Sequence, residues 1–199
     1  MRTALLVVDL QNAFCKPDGS FARRGLAIAS IDRVVDRSRR LVEHAGQAGW
    51  LVVATRLVYA ADYHDGGLLV ARDPAIRALG AYRDESFDAA LVADLGPLPG
   101  DALVVRKTRY DPFCGTTLEA ELRARGVGDV VVCGVTTNVC VESTVRSAHD
   151  RDFPVRLVED AVSSYDAALH RASIETMARH FATRTTLAEL LGEPAVRAR

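Results

Sequence analysis

Three polar side chains follow short apolar runs in this chain, and their types are those that nucleophilic catalysis needs. Cys140 comes after the run VVVCGV and two threonines, where a helix is predicted to begin. Unpaired N–H groups and the positive dipole end of a helix favour a thiolate there and can hold a developing oxyanion. A free cysteine is also often a small buried hydrophobe, so position alone leaves both interpretations open.

The other two side chains are a carboxylate and an ammonium group. Asp9 directly follows the apolar run ALLVV, and Lys107 follows ALVV and Arg106. A carboxylate can accept the proton of a thiol, but Asp9 is equally well suited to begin a turn or to cap the next helix. Lys107 belongs to a basic cluster with Arg106 and Arg109, and such clusters are commonly solvated. Neither residue is assigned by its position alone.

The remaining thiols and the histidines narrow the choice of nucleophile and base. Cys133 lies inside a predicted strand and is expected to be inert, and Cys15 lies in a loop. Cys114 precedes a predicted helix and is the serious competitor of Cys140. Among the five histidines, His149 falls about 180° around a helix from Cys140, and no other is well placed. A carboxylate is therefore the favoured base.

The elements that must position these residues alternate between short apolar runs and longer amphipathic segments, which predicts an α/β protein. Continuous β-branched runs are typical of strands buried on both faces of a parallel sheet. The predicted strands are 4–8, 51–55, 102–105, 129–135, 154–158 and 183–185. The predicted helices are 31–45 after a Ser30 cap, about 116–125, one from about 138, and about 166–182. We expect a three-layer α/β/α sandwich with a six-stranded, mainly parallel, Rossmann-like sheet, and ligands at the carboxyl ends of its strands.

Composition predicts a single domain over residues 1–199 and excludes several classes of partner. Segment 57–100 has weak periodicity and several glycines and prolines, so we expect an irregular insertion that shapes one wall of the pocket.

The net charge of −1 gives no field that attracts nucleic acid or an anionic membrane. The first apolar run is too short for a secretory signal, and no run reaches the ~20 residues that span a bilayer. We expect a cytoplasmic protein with free thiols.

The segments DLQNAF (9–14), KTRYDPF (107–113) and GVTTNVC (134–140) together resemble the isochorismatase-like cysteine hydrolases. They occur in the family's order, each at a predicted strand end, and their joint occurrence is far more specific than any one of them. The residues around the third segment most resemble the ureido and carbamoyl hydrolases of that family. The resemblance implies the isochorismatase-like hydrolase fold and cleavage of a small amide, ureido or carbamoyl C–N bond through a thioester.

The resemblance also implies a role for each polar residue. It makes Cys140 the nucleophile, Asp9 the proton shuttle, and Lys107 the cation that holds and polarises both. The N–H groups of Thr136 and Cys140 become the oxyanion hole, with a cis peptide bond between Val135 and Thr136. Members of the family commonly form homo-oligomers, so a homodimer or homotetramer is expected.

Residues that contact the substrate are harder to assign from sequence, because each candidate could equally lie in the hydrophobic core or at the edge of the pocket. Aromatic side chains near the motifs are plausible apolar walls, and an arginine near the end of the second predicted strand could pair with a substrate carboxylate. The candidates are Phe14, Arg56, Tyr110, Phe113, Thr136 and Thr137.

No metal or other cofactor is expected. Asp62 and His64 superficially fit the metal motif of the nicotinamidase branch, but they lie well beyond the strand that ends near Thr55. No second histidine follows in the insertion. We therefore expect that nicotinamide is not the substrate.

Three alternative functions remain. The chain could be an isochorismatase-type vinyl-ether hydrolase, although that branch does not depend on a cysteine, or a relative without catalysis that binds a small metabolite. It could also be a redox sensor that pairs Cys140 with Cys114 or Cys15, although there is no CxxC pair. The combination of Cys140 with Asp9 and Lys107 favours thioester chemistry.

Overall fold

The computed structural model describes residues 1–193, and within them the chain forms one six-stranded sheet. Its strands are β1 (Arg2–Val8), β2 (Leu51–Leu57), β3 (Leu103–Lys107), β4 (Val127–Val135), β5 (Val155–Ser163) and β6 (Thr183–Thr185). Every pairing is parallel, in the order β3-β2-β1-β4-β5-β6. The chain therefore winds outward from β1 in both directions, and its topological switch point lies between β1 and β4. Ligands of such sheets bind at that point, beyond the carboxyl ends of the strands.

Helices cover both faces of the sheet, which confirms the predicted three-layer sandwich. The helices are α1 (Asn12–Cys15), α2 (Ser20–Arg23), α3 (Ile31–Gln47), α4 (Gly67–Arg72), α5 (Pro74–Ala78), α6 (Leu118–Ala124), α7 (Glu142–His149), α8 (Ala167–His180) and α9 (Leu187–Leu191). A 3₁₀ turn spans Ala93–Leu95 and a π-helical turn spans Thr137–Val141. No helix within residues 1–193 is both long enough and apolar enough to cross a membrane.

Strand β1 shows why the chain makes three layers. Leu5 and Val7 belong to the apolar cluster that α3 covers, whereas Ala4, Leu6 and Val8 belong to the cluster that α6, α7 and α8 cover. All five side chains have no exposed surface. Because successive side chains of a strand point to opposite faces, an unbroken apolar run needs a hydrophobic layer on each side.

The helix α3 begins as predicted, but not with the predicted cap. Ser30 precedes it with a φ of 61°, and its side chain makes no hydrogen bond to the N–H groups of the first turn. Its hydroxyl instead accepts a hydrogen bond from the guanidinium of Arg33 at 3.0 Å. Ser30 occupies the predicted N-cap position, but its side chain does not cap the helix, because the backbone at this residue is left-handed and not the extended one that a capping side chain requires.

Several strands run further than their apolar sequence indicated. Strand β2 continues to Leu57 and β3 to Lys107, since the parallel ladder pairs Arg56 with Arg106 and Leu57 with Lys107. Arg56 therefore lies inside a strand rather than at its exit. Lys107 is the last residue of β3, so its side chain begins at the edge of the sheet where ligands bind.

The buried side chain of Gln11 helps to tie segment 57–100 to the sheet. Gln11 donates hydrogen bonds from Nε2 to the carbonyls of Leu57 and Ala89, at 3.1 and 3.2 Å. Its Oε1 accepts one from the N–H of Leu57 at 2.7 Å. The segment carries the short helices α4 and α5, so more of it is regular than the sequence indicated.

Candidate active site

Asp9 and Lys107 form an ion pair at the carboxyl ends of β1 and β3. Lys107 Nζ lies 2.8 Å from Asp9 Oδ2, and neither side chain has exposed surface. Lys107 also donates hydrogen bonds to the carbonyls of Arg109 and Tyr110, at 3.2 and 3.0 Å. The Thr55 hydroxyl donates to the other carboxylate oxygen, Asp9 Oδ1, at 2.6 Å. Both charged groups are therefore held in fixed positions by several partners.

Cys140 completes a cluster of three with this ion pair. Its side chain lies close enough to Asp9 and Lys107 for both groups to act on the pKa of its thiol. It lies in the π-helical turn Thr137–Val141, directly before α7, and only 4% of it is exposed. The structure thus brings together the three residues that the sequence motifs singled out.

The electrostatic state of the thiol differs from the one that its place near a helix start suggested. Burial raises the pKa of Cys140 above its ordinary value, the positive charge of Lys107 lowers it, and the negative charge of Asp9 raises it again. The net direction is upward, so this environment favours the neutral thiol over the thiolate that a helix start alone would favour. Full desolvation outweighs the helix dipole because a buried anion loses all of its hydration.

The ammonium group of Lys107 responds in the opposite sense to its burial. Desolvation alone would lower the pKa of Lys107, but the negative charge of Asp9 opposes that effect, and the pKa is raised overall. Lys107 therefore stays protonated. A protonated lysine beside a neutral thiol and a carboxylate leaves the carboxylate as the group that can take the thiol proton.

The backbone next to the thiol depends on a close approach between β1 and β4. Gly134 pairs with Val8 and has a φ of 113°. A Cβ atom at this position would lie 2.1 Å from the carbonyl oxygen of Val8, so only glycine fits. The peptide bond between Val135 and Thr136 is cis. The Thr136 carbonyl accepts a hydrogen bond from the Val139 N–H at 3.1 Å, which helps to fix the turn.

A cavity of about 220 Å³ opens over Cys140 and Thr136. Its volume is below the range of ~300–1,000 Å³ that is usual for drug-sized ligands, so it suits a small substrate. Six aromatic side chains line its wall. They are Phe14, Phe21, Tyr59, Tyr82, Tyr110 and Tyr165.

Three of the six predicted substrate residues line this cavity, namely Phe14, Tyr110 and Thr136. The other three are directed elsewhere. Arg56 donates from Nε to the carbonyl of Ala89 at 2.7 Å, so it holds the insertion and does not face a substrate. Arg56 lies inside β2 and not at the end of the strand, which explains why it does not line the cavity as predicted.

Phe113 and Thr137 are also not cavity residues. Phe113 packs in the apolar cluster with Phe153, at a centroid distance of 6.4 Å, beneath the guanidinium of Arg151. Thr137 is fully buried and its Oγ1 lies 2.8 Å from His170 Nδ1. Phe113 lies in the segment after β3 and packs into the apolar cluster, whereas Thr137 is turned toward His170 of α8.

The other cysteines lie apart from this centre. Cys114 is exposed and does not line the cavity. Cys15 lines a separate open groove of about 450 Å³, and burial raises its pKa to about 12. Burial likewise raises the pKa of Cys133 to about 12, in keeping with the predicted inert thiol.

Asp62 and His64 contact each other at the protein surface. The distance from His64 Nδ1 to Asp62 Oδ1 is 2.7 Å, and both side chains are largely exposed. In the part of the chain that the structure describes, no group of three or more His, Cys, Asp or Glu residues is arranged to hold a metal.

Sequence reasoning missed a polar pair in the cavity wall. Arg24 follows α2 and Asp73 precedes α5, and their side chains form an ion pair. No local motif marks either residue. The only signal available was the Asp73-Pro74 start of a helix in the insertion, and this gives no hint of a partner 49 residues away.

Comparison with known proteins agrees with this architecture. The chain is 33% identical over 192 residues to the ureidoacrylate amidohydrolase RutB of Variovorax paradoxus, covering 90% of this chain and 76% of the relative. It is 35% identical over 193 residues to the enzyme of the same name from Methylobacterium radiotolerans, covering 90% and 74%.

Solved structures give the same result. A cysteine hydrolase from Pseudomonas syringae pv. phaseolicola superposes with a TM-score of 0.87 at 31% identity, over 96% of this chain and 91% of the other. N-carbamoylsarcosine amidase from Thermoplasma acidophilum superposes with a TM-score of 0.74 at 25% identity over the full length of both chains. A model of the isochorismatase domain matches residues 3–189. The resemblance seen in the sequence is confirmed, and the chain belongs to the isochorismatase family.

Proposed function

We propose that the protein is a cysteine amidohydrolase that cleaves a small amide, ureido or carbamoyl C–N bond through a thioester. The observation that carries the proposal is the contact of the Cys140 thiol with the buried Asp9–Lys107 pair at the floor of a small cavity. The names of the relatives, ureidoacrylate amidohydrolase and N-carbamoylsarcosine amidase, support the same bond type.

In the first half of the reaction, the Asp9 carboxylate accepts the thiol proton while the sulfur of Cys140 attacks the acyl carbon. The carbonyl oxygen becomes an oxyanion, which the N–H groups of Thr136 and Cys140 stabilise. Asp9 then gives the proton to the leaving nitrogen, the C–N bond breaks, and a thioester remains. A neutral resting thiol suits this sequence, because its proton is the one delivered to the leaving group.

In the second half, a water molecule gives a proton to Asp9 and attacks the thioester carbon. The C–S bond breaks and the proton returns to sulfur, which restores the starting state. Lys107 keeps the carboxylate in place and stabilises the negative charge that passes between oxygen and sulfur. Loss of one oxyanion donor in such chemistry costs roughly 3 kcal/mol of activation free energy.

We also place the protein in the cytoplasm and expect a homodimer or homotetramer, in which exposed apolar and aromatic side chains would supply contact area. Tyr110, Tyr165 and Leu169 are 41%, 37% and 47% exposed, although large apolar and aromatic side chains are usually buried. Light scattering at micromolar concentration measures the assembly, and a monomer at all concentrations would contradict it.

Replacement of the nucleophile tests the function. Wild-type protein and Cys140→Ala are incubated with a panel of ureas and carboxamides, and ammonia release is measured together with the intact mass. The wild type should release ammonia and accumulate an acyl adduct on the peptide that contains Cys140, and Cys140→Ala should do neither. Cys114→Ser, which changes a thiol outside the cavity, serves as the control and should keep wild-type turnover. Full turnover by a folded Cys140→Ala variant would disprove the proposal.

A further inference from the structure

The wall of the cavity contains a buried tyrosine hydroxyl without a hydrogen bond. The side chain of Tyr59 has no exposed surface, and within residues 1–193 no protein group forms a hydrogen bond with its oxygen. Of the buried polar side-chain atoms in that part of the chain that lack such a bond, it is the one on a residue that lines the cavity. Buried polar groups are almost always paired, so this exception needs an explanation.

The neighbouring Tyr63 shows how a tyrosine hydroxyl in this region is paired when its role is structural. The ring centroids of Tyr59 and Tyr63 are 5.9 Å apart, and both side chains are buried. The Tyr63 hydroxyl donates to the carbonyls of Ala81 and Ile76, at 3.0 and 3.3 Å. Tyr63 is not among the residues that line the cavity. The hydroxyl away from the cavity is thus paired with the protein, whereas the one at the cavity remains available to a ligand.

The backbone and the ring of Tyr59 are both held in place. Its N–H donates to the carbonyl of Tyr82 at 2.8 Å, and its carbonyl accepts a hydrogen bond from the N–H of Asp84 at 2.9 Å. The ring packs against Tyr63 and Tyr82, with centroid distances of 5.9 and 6.3 Å. A change of rotamer would give up both ring contacts, so the fold sets the direction of the hydroxyl.

The Tyr59 hydroxyl keeps its proton and is therefore a hydrogen-bond donor. Burial raises the pKa of Tyr59 above its ordinary value, and charges on Tyr110, Tyr82 and Cys140 act in the same direction. The free energy of removing this group from water is spent when the protein folds. An acceptor on a ligand can therefore bind the hydroxyl without a second desolvation of the donor.

The low exposure of Tyr59 is shared by groups that react in the proposed mechanism. Cys140 and Thr136 line the same cavity and are only 4% and 3% exposed. Burial to this degree is thus compatible with contact to a bound substrate.

We propose that Tyr59 is a substrate-binding residue, whose hydroxyl donates a hydrogen bond to an acceptor atom of the bound urea or carboxamide. The inference rests on the proposed amidohydrolase function and adds a contact that none of the three sequence motifs contains. Substrates that place an oxygen against Tyr59 are selected over those that place an apolar group there, because the latter leave the buried hydroxyl unpaired.

Comparison of Tyr59→Phe with Tyr63→Phe tests the assignment in the protein without ligand. Tyr59→Phe removes an unpaired hydroxyl, so its midpoint of urea denaturation should equal or exceed that of the wild type. Tyr63→Phe removes the donor to two carbonyls, so its midpoint should be lower. A lower midpoint for Tyr59→Phe as well would show that its hydroxyl is paired within the protein, and this result would overturn the inference.

The same two substitutions, each made in the Cys140→Ala background, measure binding apart from catalysis. Phenylurea is the probe, because its ring suits the aromatic wall and its carbonyl supplies an acceptor. Calorimetry should show that Tyr59→Phe weakens binding by ~10-fold or more, whereas the control Tyr63→Phe changes the dissociation constant less than twofold. A change of less than twofold in Tyr59→Phe would overturn the inference, and so would the absence of phenylurea binding to Cys140→Ala.

Turnover with Cys140 intact distinguishes this inference from the proposed function. On the amide that the wild type cleaves fastest, Tyr59→Phe should lower kcat/KM by ~10-fold or more, and Tyr63→Phe should keep it within twofold. Equal kcat/KM for Tyr59→Phe and the wild type would overturn the inference and leave the amidohydrolase in place. Absence of turnover by the wild type would instead disprove the proposed function, and phenylurea binding would still decide the role of Tyr59.

Discussion

The ammonium nitrogen of Lys107 lies 2.8 Å from a carboxylate oxygen of Asp9, although strand β2 separates the strands that carry them. The long lysine side chain bridges this gap across the carboxyl edge of the sheet. Thr55, on the intervening strand, donates its hydroxyl to the other carboxylate oxygen. Three neighbouring strands thus fix one carboxylate, and this carboxylate faces the thiol that the fourth strand and its following turn supply.

Removal of the Asp9 carboxylate should make the Cys140 thiol more reactive toward alkylation and, at the same time, lower amide turnover. In Asp9→Asn the negative charge that raises the pKa of Cys140 is gone, whereas the positive charge of Lys107 that lowers it remains. A larger thiolate fraction should make iodoacetamide alkylate Cys140 faster than in the wild type at pH 8. Amide turnover should nevertheless fall by ~10²–10⁴-fold, because the proton acceptor is lost.

Peptide mass spectrometry of the alkylated protein measures this effect. The exposed Cys114 in the same sample reports on the reagent and should be alkylated equally in both proteins. Slower alkylation of Cys140 in Asp9→Asn would mean that the carboxylate activates the ground-state thiol, contrary to the mechanism proposed.

The buried ion pair predicts a strong dependence of stability on both partners. Lys107→Met leaves the Asp9 carboxylate without its counter-ion, and Asp9→Asn leaves the Lys107 ammonium in the same situation. Each single substitution should lower the free energy of unfolding by roughly 3–5 kcal/mol. The double variant Asp9→Asn/Lys107→Met buries no unpaired charge, so its loss should be smaller than the sum of the two. Urea denaturation of the four proteins provides the measurement, and additive losses would show that the pair is not coupled.

The contact between Gly134 and β1 predicts that alanine is not tolerated there. Its Cβ would lie 2.1 Å from the Val8 carbonyl oxygen, at a φ of 113° that alanine rarely adopts. We expect Gly134→Ala to lower the free energy of unfolding by ~3 kcal/mol or more and to displace Cys140. In the control, Gly100→Ala, the new Cβ meets nothing within 4 Å, and the change should stay within ~0.5 kcal/mol. Equal thermal stability of the two variants would contradict the close approach.

Buried thiols predict a loss of stability at alkaline pH. The pKa of Cys133 is raised from 9.0 to about 12 by burial, so above pH 9 the unfolded chain loses this proton while the folded protein keeps it. The contribution of Cys133 to the free energy of unfolding is fully present below pH 9, and it declines by ~1.4 kcal/mol per pH unit as the pH rises toward 12. Cys133→Val should therefore show a shallower alkaline decline than the wild type by about that slope. Urea denaturation measures the free energy of unfolding of both proteins between pH 9.5 and 11, and at pH 7–8 their curves of stability against pH should be parallel. Equal slopes between pH 9.5 and 11 would contradict the raised pKa of Cys133.

Local sequence determined the sheet and the three polar residues at its edge. Apolar runs such as ALLVV predict buried parallel strands because both faces of such a strand need hydrophobic side chains, and this information is contained in the run itself. Polar residues that follow such a run closely should lie near the carboxyl edge, so Asp9 and Lys107 could be named as candidates, although only the resemblance to a known family gave them roles. Cys140 was found in the same way, from a strand followed by a turn.

Tertiary structure alone decided what surrounds these residues. Arg24 and Asp73 meet across 49 residues of chain, and whether an aromatic ring such as Phe113 faces the cavity or the core depends on how separate helices pack. The charge state of Cys140 likewise depends on complete burial next to two charges, which position near a helix start does not reveal. Strand patterns are local, whereas burial and pairing arise only when distant segments come together in space.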